Sequence, residues 1–289
     1  MAEHQEDRHA ALTDTRGHHE GLGDQWAVLV GNPAQLMPQI VGTIIHSGST
    51  RPSWQVTRNG KEYVMMAWPQ EEPIRAAVVM SGVAEGDLKP ATAVPLLDGL
   101  PNDLSVDHVH VWENGAAADV AVTMEGAEKP LWFYTPTYFR DLEALNTPGV
   151  TSTFLLAGLA YGMRRALLDT VTITQGPRYE AYAAAWLAEH PDKKSIHVPP
   201  LQLNVAGSRV IMPGNNYCEY QMRATIEAVD TSHLDKEPVY MVTLRFEMEQ
   251  RAALDIVVYT PSRALEEGYV PKAGDEIDAY VWLQGRVMD

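Results

Sequence analysis

The chain has 289 residues, 45% of them hydrophobic and 21% charged, ordinary values for a globular protein large enough to bury a core. Its 22 basic and 38 acidic residues leave a formal net charge of −16, which argues against broad electrostatic binding to nucleic acid. The single cysteine, Cys218, excludes an intramolecular disulfide and fits a reducing compartment. No apolar core segment lies in residues 1–25, and the longest apolar run, Phe154 to Met163, is about half the roughly 20 residues of a spanning helix. The expectation is a cytoplasmic protein without a membrane partner.

Residues 1–25 are polar and rich in His, Asp, Glu and Arg, and are expected to form a disordered head. A mixed α+β domain is expected over residues 26–176. Gln39–His46 is a β-branched run, ended by Gly48 and the Arg51-Pro52 step. Glu62–Trp68 and Arg75–Met80 read as strands, and Asn59-Gly60 as the hairpin turn ahead of the first. Residues 83–104 hold several Gly, Pro and Asp and read as a long loop. Ser105–Trp112, Ala117–Met124 and Leu131–Tyr134 read as three strands, joined by turns at Asn114-Gly115 and Glu125-Gly126.

Two helices are predicted next. Thr151–Leu168 opens on a Thr-Ser-Thr cluster suited to capping, closes near Arg164-Arg165 and is apolar nearly all round, so burial is expected. Gly158 and Gly162 would share one of its faces. The second helix runs from Arg178 to Glu189 and stops at Pro191. A linker over 177–200 then leads, past Pro199-Pro200, to a β-module over 201–289.

In that module Tyr220, Met222, Ala224, Ile226 and Ala228 alternate with polar residues, as do Tyr240, Val242, Leu244, Phe246 and Met248 with theirs. This is the period of strands with one buried face. Leu254–Tyr259 is a third strand, Ser262–Glu267 a short helix ending at Gly268, and Glu276–Val287 a long final strand. The order strand, strand, strand, short helix, long strand resembles the OB-fold, a five-stranded barrel with a helix between its third and fourth strands. The resemblance is one of architecture, and four strands are clear; it implies a surface of the kind that binds oligonucleotides or oligosaccharides, although fold does not fix function. The tripeptide Tyr134-Thr135-Pro136 recurs as Tyr259-Thr260-Pro261, an offset of 259 − 134 = 125 residues, which raises an internal duplication. The predicted fold class is therefore α+β: two β-rich modules, the C-terminal one OB-like, with a buried helix pair between them.

Chemistry is sparsely signalled. There is no Gly-x-Ser-x-Gly elbow, no phosphate-binding Gly-x-x-x-x-Gly-Lys-Ser/Thr loop and no dinucleotide-binding Gly-x-Gly-x-x-Gly. No cofactor is expected. The alternative is a divalent metal on His108 and His110, which point to one face of a strand, with His46 or His197 as a third ligand and a metal-dependent hydrolase as the function. On the final strand, parity gives Ile277, Ala279, Val281, Leu283 and Val287 to the core and Tyr280, Trp282, Gln284 and Arg286, with Asp278, to the other face. With Arg223 and Arg245 this predicts an outward aromatic-arginine face, formed by Tyr280, Trp282, Arg286, Arg223 and Arg245. Such a face suits a protein partner, within or outside a nucleoprotein assembly, or stacked bases of a single strand. The leading expectation is a non-enzymatic binding or adaptor protein for a protein partner. Single-stranded nucleic-acid binding is a further alternative, disfavoured by net charge.

Overall fold

The computed structural model describes the backbone of residues 13–18 and 52 and, with side chains, residues 22–46, 53–58, 60–83, 87–124, 130–147, 150–167, 169–193, 198–234, 237–247 and 253–289. The chain divides into two compact units, one of Met1–Arg165 with Arg209–Asp289, the other Ala166–Ser208. The division differs from the expected one, because strands from both halves of the sequence pair within the larger unit.

The larger unit is mostly β. Its elements are β1 (Thr13–His18), α1 (Gly23–Val30), α2 (Pro33–His46), β2 (Pro52–Arg58), β3 (Lys61–Trp68), β4 (Ile74–Gly82), β5 (Lys89–Leu97), β6 (Leu100–Trp112), β7 (Ala118–Thr123), β8 (Leu131–Thr135), α3 (Tyr138–Leu145) and β9 (Thr151–Arg165). The smaller unit holds β10 (Thr170–Ile173), α4 (Pro177–Glu189) and β11 (Leu201–Asn204). Back in the larger unit come β12 (Val210–Pro213), β13 (Glu219–Leu234), β14 (Glu237–Glu247), β15 (Ala253–Pro261), a 3-10 turn at Ser262–Ala264 and β16 (Glu276–Val287). In the smaller unit β10 and β11 pair antiparallel, and α4 buries no residue. Among the described residues no single helix is long and apolar enough to cross a membrane; α1 and α2 reach that length only together, bent by 88°.

Several expectations are corrected. Thr151–Leu168 is not a helix: its first fifteen residues are β9, so the buried helix pair does not exist. β9 pairs with β6, β15 and β16 and is buried continuously through its centre, residues 156–160. A strand covered on both faces loses its alternation and reads like a buried helix. The β-branched run Gln39–His46 lies in α2. The expected loop 83–104 contains β5, an edge strand whose Pro90 and Pro95 are tolerated because an edge needs fewer ladder donors. β1 lies inside the expected disordered head. Asn59, Glu125 and Gly126 fall outside the described residues, but Arg58 pairs with Lys61 across a hairpin whose Gly60 has φ of 72°.

The pairings close two rings. One runs β6-β7-β8-β16-β9 and back to β6; the other runs β13-β14-β15-β9-β16 and back to β13. Both share the antiparallel pair β9–β16. The rings follow the same connections, and their irregularities coincide. A register shift falls between Val106 and His108 on β6, and between Ile226 and Ala228 on β13, 120 residues later (226 − 106). Tyr134 aligns with Gln284 across β8–β16, and Tyr259 with Leu159 across β15–β9, so both partners move by 125 (259 − 134 and 284 − 159). The Tyr-Thr-Pro tripeptides thus mark matching positions in two rings with the same connections, each of which takes one strand from the other half.

Two cores follow from strand parity. The first gathers one face of the ring strands, including Val109, Val120, Phe133, Ile256, Val281 and Leu283. The second lies on their opposite face, where Trp112, Tyr134, Val257, Tyr259 and Trp282 pack with the four-stranded sheet β2-β3-β4-β5 and with α1.

Candidate functional site

The aromatic-arginine face expected on the final strand is covered by this chain. Trp282 is 3% exposed and its ring lies 5.2 Å from that of Tyr134. Beside it the Gln284 amide donates to the Pro95 carbonyl at 2.6 Å and accepts from the Leu97 amide at 2.8 Å, tying β16 to β5. Arg286 pairs with Asp98 at 3.3 Å and stands over Trp54, 5.7 Å from the ring centroid. The half-buried Tyr280 donates to Glu219 and packs on Tyr161. Arg223 pairs with Asp278 and Arg245 with Asp255, at 3.4 and 3.6 Å. Of the five predicted residues, only Arg245 is exposed, its side chain at 50%, and Tyr280 is half-buried. Parity assigned the face correctly, but a sheet from the N-terminal half covers most of it, and no local pattern reveals that.

His108 and His110 do lie together on β6, with ring centroids 4.5 Å apart. His46 is engaged within α2, its Nδ1 2.9 Å from the Gly42 carbonyl oxygen, and His197 is outside the described residues. Among the described residues no three His, Cys, Asp or Glu side chains form a metal-binding group.

What surrounds the two histidines is aromatic. The His110 ring lies 4.8 Å from Trp132 and 5.7 Å from Tyr217, and Trp132 lies 5.1 Å from Tyr217. The small Ala121 pairs with both His108 and Trp132 and so leaves room for the rings above it. Trp132 is held by its own amide, which donates to the Tyr220 hydroxyl at 2.7 Å. Burial pushes that phenol up, partly offset by the same Trp132 amide. His108, His110 and Trp132 are half-buried, and Tyr217 is 47% exposed. The result is a surface shelf of four rings that continues the buried aromatic row of Trp112 and Tyr134, whose rings lie 4.9 Å apart.

Comparison of the repeats isolates this shelf. The row His108–Ala121–Trp132 has its counterpart in Ala228–Thr243–Val257, and His110–Asp119–Tyr134 in Asp230–Met241–Tyr259. The second ring keeps the buried tyrosine, as Tyr259, and lacks the half-buried histidine and tryptophan rings. Sequence parity could have placed Trp132 outside, opposite Phe133; Tyr217 lies just before β13, where no strand periodicity applies. Cys218 beside it is buried, with φ of 63° and its Sγ 3.5 Å from an Asp119 carboxylate oxygen.

The sequence matches no protein-family model and no curated protein.

Proposed function

We propose that this is a binding protein without enzymatic activity, an adaptor that docks a basic, arginine-bearing segment of a protein partner on the shelf of His108, His110 and Trp132 with Tyr217. The observation that carries the reading is an asymmetry between the two rings of strands: the connections occur twice, and only the first carries half-buried aromatic rings, His108, His110 and Trp132, where the second has Ala228, Asp230 and Val257. Each ring of strands contains one parallel contact, β8–β16 in one and β15–β9 in the other, made with a strand from the other half of the chain. Three of the shelf's aromatic rings stand on one face of β6 and β8, and on the OB-like reading of these strands a ligand would be expected near that face, since OB-folds bind on their second and third strands.

The chemistry favours a cationic protein segment. Trp and Tyr faces attract guanidinium and ammonium groups. No Lys or Arg lies among the shelf residues, Asp107 and Glu113 flank its histidines in sequence, and the chain carries −16 overall. The same features oppose a nucleic-acid strand, whose phosphates need cations. Tryptophan fluorescence during titration with an arginine-glycine peptide, and separately with oligo-dT, tests the reading. The peptide is expected to bind and the oligonucleotide not to. Oligonucleotide binding without peptide binding would replace the proposal with the nucleic-acid alternative. A stoichiometric metal lost in a His108→Ala variant would replace it with the hydrolase.

A further inference from the structure

We infer that the groove between the β2–β3 hairpin and α3 is a second binding site, for a small hydroxyl-bearing phosphate ester. The groove has a volume of about 570 Å³ and is lined by Arg58, Lys61, Tyr63, Phe139, Leu142 and Glu143, with Gly115 at its edge. That is within the roughly 300–1,000 Å³ of small-molecule sites.

Its charge sets it apart. Among the arginine side chains described in the larger unit, all but Arg58 stand within ion-pair distance of a carboxylate. One guanidinium nitrogen of Arg58 donates to the Arg140 carbonyl at 3.2 Å, which fixes the head group without neutralising it. Lys61 pairs with Arg58 across the hairpin and stands 5.0 Å from the centroid of the Tyr63 ring. Tyr63 in turn stacks on Phe139 at 5.4 Å and 19°, giving a rigid floor. In a chain of net charge −16, two cations held side by side without a carboxylate partner form a local positive site.

A phosphate monoester matches this arrangement. Its charge at neutral pH is close to −2, which Arg58 and Lys61 balance, and the guanidinium fork suits paired phosphate oxygens. Glu143, exposed on the α3 wall, is an acceptor suited to a hydroxyl of the same ligand and ill-suited to a second anion. The site belongs to the first repeat alone, because the second has only the 3-10 turn Ser262–Ala264 where the first has α3.

The test is isothermal titration of the full chain with ribose 5-phosphate, inorganic phosphate and ribose. Ribose 5-phosphate is expected to bind most tightly, inorganic phosphate more weakly, and ribose not measurably. The double variant Arg58→Ala/Lys61→Ala should weaken ribose 5-phosphate at least tenfold with an unchanged melting temperature. Glu143→Ala should weaken ribose 5-phosphate and leave or strengthen inorganic phosphate. No binding of either phosphate by the wild type, or equal binding by the folded double variant, would overturn the assignment. Unchanged affinity in Glu143→Ala would remove the hydroxyl requirement from it.

Discussion

Gly158 on β9 faces Leu283 on β16, and the two are 125 residues apart (283 − 158), the spacing that separates the two copies of the β-module. Each is therefore the other's counterpart, and the pseudo-twofold relation between the repeats passes through this pair. A Cβ added at Gly158 would lie 2.4 Å from Val281 Cγ1, whereas one added at Gly162 would meet nothing within 4 Å.

Gly158→Ala should accordingly destabilise the protein by about 1–3 kcal/mol through overpacking, while Gly162→Ala should stay within about 0.5 kcal/mol of wild type. Urea unfolding of both variants checks this. Equal effects would contradict the strand assignment of β9, since one helical face would treat the two glycines alike.

The Gln284 amide links β16 to β5 through buried hydrogen bonds. Gln284→Ala strands the Leu97 N–H and the Pro95 carbonyl, and should cost about 2–4 kcal/mol. The same denaturation measurement reads it; a loss below about 0.5 kcal/mol would mean that the four-stranded sheet does not depend on this contact.

Trp282→Ala removes a buried ring from the second core and should cost about 3–5 kcal/mol. A variant of wild-type stability would restore Trp282 to an exposed surface, the position that parity alone leaves open.

Burial raises the phenols of Tyr134, Tyr220 and Tyr259 above the ordinary tyrosine value. Asp119 and then Cys218 add to the effect at Tyr134, and Asp98 adds to it at Tyr259. The folded state thus prefers the neutral form. The associated stability is complete below the unfolded value near 10 and is lost as pH rises through it toward the folded values. Unfolding midpoints should stay level up to about pH 9 and fall steeply above about pH 10, with tyrosinate absorbance from these groups appearing only on unfolding. Early, non-cooperative ionisation of all the tyrosines would contradict their burial.

Much of the β architecture was legible. β16 has the predicted bounds, and the alternation located buried Tyr220, Met222, Ala224 and Ile226 on β13 and Val242, Leu244 and Phe246 on β14, although Ala228 is exposed past the register shift. Thr151–Arg165 was not legible, because a strand paired on both edges and covered on both faces has no period of two. Nor was the cover over Trp282, which arrives from β2–β5, about 200 residues away in sequence. His108 and His110 were visible as a pair, but the ring that joins them from Tyr217 required the tertiary fold.

The most direct test of the account is the affinity of the Trp132→Ala variant for the arginine-glycine peptide, with the Trp282→Ala variant beside it. Trp132→Ala should weaken binding at least tenfold and melt close to wild type, while Trp282→Ala should lose stability and, where folded, keep its affinity. Peptide binding that survives Trp132→Ala and fails in folded Trp282→Ala would contradict the shelf as the docking surface.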